Sequence, residues 1–220
     1  PINFEFFVDF ETLQQDDRTN LLYLIGLGVR VGIKWIYYYF YVDVNKPDCE
    51  KHLVLEWYNK MEKIKSLYAL NSNIKTWHWS SAEKNILNAV LVKYPDIKIN
   101  VDWIDLCDIF IKEEIVIKDA LNYKLKSIVK TLSKHGFIKS SYDNLICDNG
   151  MDAMVDGYYS YMSAKRLNTS IKPYLVDKNI IEYSAPSGKV VFKTYKDEAI
   201  SFQIGTADPV KALNASLKVY

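Results

Sequence analysis

FFVDFETL, residues 6–13, continues an aromatic and β-branched run that begins at Asn3, and the stretch reads as a buried strand. Successive side chains of a strand point to opposite faces, so Asp9 and Glu11, two residues apart, project from the same face. Asp is depleted in strands and costs free energy when buried without compensation, so a DxE pair inside an apolar strand needs a reason. A divalent cation bound by hard carboxylate oxygens is one reason. A strand end where both acids simply meet water is the other.

Working outward, LLYLIGLGVRVG (21–32) and KWIYYYFYVD (34–43) are two further strand candidates, with Gly28 and Gly32 near the gap between them. With the first strand they predict a three-stranded antiparallel meander. The period then changes. Residues 49–67 predict an amphipathic helix, 74–79 (IKTWHW) a short strand, and 80–94 a helix with Ser80 or Ser81 as N-cap and Glu83 completing a capping box. INVDWIDLCDIF (99–110) predicts a strand running into a short helix. Residues 120–136 predict a helix closed by Gly136, and 150–167 another. KVVFKTY (189–195) and AISFQIGTA (199–207) are strand-like runs that would pair as a hairpin. The order predicts an α/β layered fold with a mixed sheet, organised as one domain over 1–170 and a C-terminal extension over 171–220.

Composition narrows the function classes. Twenty-eight basic and 27 acidic side chains leave a net charge of +1 in 220 residues, so contact with nucleic acid would be local, in a groove, rather than a bulk electrostatic wrap. Three cysteines without a CxxC pair exclude a disulfide scaffold and a zinc cluster, and fit a reducing intracellular compartment. No apolar run is long enough to span a membrane. Pro at position 1 and a strand starting almost at once suggest a domain of a larger polypeptide.

More acids recur along the chain. TWHWSSAEKNIL (76–87) carries Glu83 in the first turn of a helix, either as an ordinary capping residue or as a ligand, with His78 just before it. DWIDLCDIF (102–110) offers Asp102, Asp105 and Asp108, neighbours on a face if the segment is helical, of which Asp105 is the preferred metal ligand. GMDAMVDGYYSYM (150–162) places Asp152 and Asp156 four apart on one helix face, where like charges repel, and Gly157 and Ala153 would let that helix approach the sheet closely. Lys126 and Lys130 are candidates for phosphate contacts, and solvated lysines of a helix face are the alternative. Trp77, His78, Trp79 and Tyr123 are candidates for contacts to the bases of a single strand, or else for core positions.

DxE on the first strand, an acid at a strand-to-helix junction, and a helix of AxxDxxxxY type in this order resemble the DEDD exonucleases of the ribonuclease-H-like superfamily, over residues 4–165. YKLKSIVKTLSKHG (123–136), preceding the last helix, is similar to the corresponding phrase of the YprB-like ribonuclease-H-like branch. The resemblance implies three antiparallel strands followed by parallel ones, flanked by helices. It implies a 3′–5′ exonuclease on single-stranded DNA or RNA that works with two Mg²⁺ or Mn²⁺ ions. It assigns Asp9 and Glu11 to the first motif, Glu83 to the second and Asp156 to the last. Glu83 stands where the family has Asp, and Asp152 or Met151 where the family has a Tyr or His base. A ribonuclease-H-like module that binds nucleic acid or a protein partner without cutting is the alternative.

Overall fold

The computed structural model of the chain describes residues 4–32, 34–68, 74–138 and 150–177. Three strands open the chain: β1 (Phe4–Gln14), β2 (Asn20–Val31) and β3 (Lys34–Tyr41). There follow α1 (Cys49–Leu67), β4 (Lys75–His78), α2 (Ala82–Lys93), β5 (Asp102–Asp105), α3 (Leu106–Lys112), α4 (Leu125–Lys134), α5 (Gly150–Leu167) and α6 (Lys172–Asp177). They build an α/β fold on a five-stranded mixed sheet of order β3-β2-β1-β4-β5. β1–β2 and β2–β3 are antiparallel, while β1–β4 and β4–β5 are parallel. The meander and the mixed sheet are therefore as the sequence pattern predicts, and the later parallel strands are compatible with the order the resemblance implies. The hairpin expected over 189–207 lies outside the described residues.

β1 is central because both of its faces have work to do. Phe6, Val8 and Phe10 are buried on one face, where Phe10 meets Trp57 of α1 edge-on at 5.3 Å. Phe7 shares the other face with Asp9 and Glu11. The β1–β2 ladder is irregular beside these acids. Its register shifts between Glu11 and Thr12, whose partners are Leu24 and Leu22, so Tyr23 is the extra residue of a β-bulge. The Tyr23 hydroxyl donates to the Ala153 carbonyl of α5 at 2.9 Å. A Cβ on Gly157 would come within 2.5 Å of the same ring. The bulge beside the DxE pair thus sets how closely α5 approaches, and only glycine permits that contact.

Among the described residues, two apolar clusters hold the elements. The larger joins β1 and β2 to α1, α2 and α5, and it includes Ile171 and Leu175, so this core continues past residue 170. The smaller, Phe110, Ile117, Ile128, Val129, Leu132 and Ile138, ties α3 to α4, with Trp79 and Tyr123 packed against it. α4 begins later than the helical pattern suggests. The Asn122 side chain accepts the Lys124 N–H, and Asp119 takes a left-handed φ of 72°, so residues 119–124 turn instead of winding. Among the described residues, no helix is long and apolar enough to cross a membrane.

Candidate functional site

Parallel pairing places Phe6 opposite Thr76 and Phe7 opposite Trp77, so β4 runs level with β1 and ends beside Asp9. The chain then turns through Ser80, which has a left-handed φ of 68°, and enters α2. The Asp105 side chain fixes that turn. Its Oδ1 accepts the backbone N–H groups of Ser80 (2.8 Å), Cys107 (2.9 Å) and Asp108 (3.3 Å), capping α3 and tying it to the β4–α2 turn. Glu83, at the second position of α2, is thereby carried to Asp9 and Glu11.

The three carboxyls act on one another. The Asp9 carboxyl lies within hydrogen-bonding reach of Glu83, a closeness that favours the protonated form of Asp9. Loss of solvation, then the charges of Glu11 and Glu83, hold the Asp9 carboxyl well above its usual range, against a backbone N–H bond at Phe10. Glu11 is pushed up to about 7 by burial and by Glu83, with the Lys126 ammonium opposing. Asp9 and Glu11 each keep part of their surface, whereas Glu83 is 6% exposed. The two acids of β1 are therefore partly exposed, with Glu83 buried beside them.

Glu83 does not serve the cap expected of it. The N-cap Ser81 makes no side-chain capping bond, and the Glu83 carboxylate faces His78, whose Nδ1 lies 3.2 Å from Oε2. The helix N-terminus still favours the negative charge there. His78 is buried behind Glu83, its ring edge-on to Trp103 at 5.0 Å. Lys126 and Lys130 are exposed on α4, and Lys126 is the one whose charge reaches Glu11. Trp77 stacks on Phe7 at 6.4 Å with its Nε1 buried, and Trp79 donates its Nε1 to the Tyr123 carbonyl at 3.0 Å. Both indoles are packed into the fold.

The acids of β5 and α3 are deployed elsewhere. Asp102, Asp105 and Asp108 do not share a helix face, because the strand-to-helix boundary falls between them. Asp102 pairs with Lys75, Asp105 with backbone amides and Asp108 with Lys112. Asp152 and Asp156 lie half-exposed on α5, each one residue before a side that packs inward at Ala153 and Gly157. What the sequence did not reveal is the role of Asp105, although an Asp immediately before a helix is an N-cap signature.

All the donors at the cluster are carboxylate oxygens, a set suited to Mg²⁺ or Mn²⁺. Among the described residues, no three Asp, Glu, His or Cys side chains are already spread into a ligand arrangement. Asp9 and Glu83 instead lie within hydrogen-bonding reach of each other. Comparison with protein-family models finds no match, and comparison with curated proteins finds none, so the site is argued from its own geometry.

Proposed function

We propose that the chain is a metal-dependent nuclease that hydrolyses phosphodiester bonds of single-stranded DNA or RNA, working from the 3′ end. The observation that carries this reading is the convergence of Asp9, Glu11 and Glu83, the first two partly exposed, with the Lys126 charge acting on Glu11. Three carboxyls held this close destabilise one another unless a proton or a cation intervenes. The mixed sheet, antiparallel and then parallel with DxE on its central strand, supports the ribonuclease-H-like resemblance.

In this reading Asp9, Glu11 and Glu83 hold Mg²⁺ or Mn²⁺, with Asp156 as the fourth acid that the resemblance implies. A bound divalent cation lowers the pKa of water and stabilises charge on a phosphoryl oxygen. The chain's own residues do the rest. The carboxylates would hold the cations, Asp105 holds the turn that delivers Glu83, and Lys126 would draw the phosphate toward them.

One observation favours a second reading, a ribonuclease-H-like module that binds without cutting: the Asp9–Glu83 contact closes the space between two of the ligands. Incubating the protein with 5′-labelled single-stranded DNA and RNA, in Mg²⁺, Mn²⁺ or chelator, decides between the two. Metal-dependent shortening from the 3′ end, with circular substrates untouched, is the expected result. Binding without cleavage in any metal would establish the second reading.

A further inference from the structure

We infer that His78 is the positioning residue of this cation site, holding the Glu83 carboxylate toward Asp9 and Glu11 by a hydrogen bond from Nδ1. The inference rests on the metal-dependent reading above. An ionised Glu83, the form that would bind a cation, can only accept, so in that form the His78 Nδ1 donates the hydrogen that spans the 3.2 Å to Oε2. The bond is buried on both sides, with the His78 side chain 2% and the Glu83 side chain 8% exposed. Water therefore does not compete for either partner, and the geometry is held by packing.

Three further observations give the contact a direction. His78 is the last residue of β4 and pairs in register with Asp105 of β5, so its backbone is fixed by the sheet. Its ring is set by Trp103 at 5.0 Å. Glu83, by contrast, has three side-chain torsions, and the Ser81 cap of its helix makes no side-chain bond. The rigid partner is the histidine and the adjustable one is the glutamate. Without His78, Glu83 would retain only the helix N-terminus and Asp9 as polar neighbours. Groups that orient a ligand from behind typically change metal affinity about 10- to 100-fold when removed.

Asn presents an amide donor close to the place of the imidazole Nδ1, whereas the longer Gln carries its donor past it. Mn²⁺ binding, followed by electron paramagnetic resonance of the free ion, is measured for the parent, His78→Asn, His78→Gln and His78→Leu, with thermal melting in chelator alongside. The expected result is His78→Asn within about threefold of the parent. His78→Gln and His78→Leu should be weaker by about 10-fold or more. If His78→Leu does not fold, the Asn and Gln variants carry the comparison alone. Parental Mn²⁺ affinity in folded His78→Gln or His78→Leu would overturn the inference while leaving the cation site intact. So would an equal loss in the Asn and Gln variants. A parent that binds no Mn²⁺ would instead remove the metal-dependent reading, and this inference with it.

Discussion

Glu50 and Glu83 occupy the same place in two helices, the second residue of α1 and of α2, and both are buried, at 2% and 6% exposure. Their surroundings differ completely. Glu50 accepts the Leu22 N–H at 2.8 Å through one oxygen and the Lys93 ammonium at 2.7 Å through the other. Its charge is matched by the fold. Glu83 has a histidine on one side and another carboxyl on the other, with Glu11 adding like charge nearby. A buried acid with a lysine is a structural element. A buried acid among acids is a position that the fold stabilises only with help from a proton or a cation, and that difference marks the candidate site.

The sharpest way to break this contrast is to neutralise the cluster. Asp9→Asn should lower cleavage by more than about 100-fold, beyond what orienting groups alone contribute. The same change relieves repulsion, so at pH 8 in chelator it should melt higher, by about 2–4 °C for each ~1 kcal/mol relieved. Lower melting of a folded Asp9→Asn would contradict the electrostatic account. On the structural side, Glu50→Gln should cost about 2 kcal/mol, because a charged, buried hydrogen-bond partner is lost, and should leave turnover per folded molecule unchanged. Calorimetric melting beside active-site-normalised rates checks both halves of that statement. Gly157→Ala should cost about 1–3 kcal/mol through the Tyr23 clash, and chemical denaturation measures it.

The smallest effect expected is a pH dependence. Glu11 is raised from 4.5 to about 7, and Asp9 is also raised, so between these values the folded state holds more protons than the unfolded one. Stability of the metal-free protein attributable to these groups therefore falls as pH rises from about 4.5 to about 7. Melting of the parent minus that of Glu11→Gln, taken across this range in chelator, should decline with pH. Added Mg²⁺ or Mn²⁺ should offset the decline most above pH 7. A difference that rises with pH would reverse the sign and refute the assignment.

Much of this was legible in the sequence because it depends on local period. DxE on an alternating strand fixes that Asp9 and Glu11 share a face, and the apolar spacing of 49–67 fixes α1 to the residue. The gathering of Glu83 toward Asp9 follows from a strand delivering a helix. The contrast between Glu50 and Glu83 was not legible, since both are ordinary first-turn glutamates until Lys93 and Asp9 arrive from distant elements. Asp105 misled for a related reason. Its two neighbours at spacing three suggested one charged face, but the strand-to-helix boundary sends each acid to a different partner. The start of α4 was obscured by apolar Ala120 and Leu121, the latter 93% exposed in a turn that Asn122 closes.

The most direct measurement compares Glu83→Gln with Glu50→Gln, recording cleavage of a labelled single strand in Mg²⁺ or Mn²⁺ together with the melting temperature in chelator. The account predicts a crossed pattern. Glu83→Gln should melt at or above the parent and lose cleavage by orders of magnitude, while Glu50→Gln should melt lower and cleave normally once folded. A Glu83→Gln variant that cleaves at the parental rate would contradict it, leaving Glu83 a structural glutamate like Glu50.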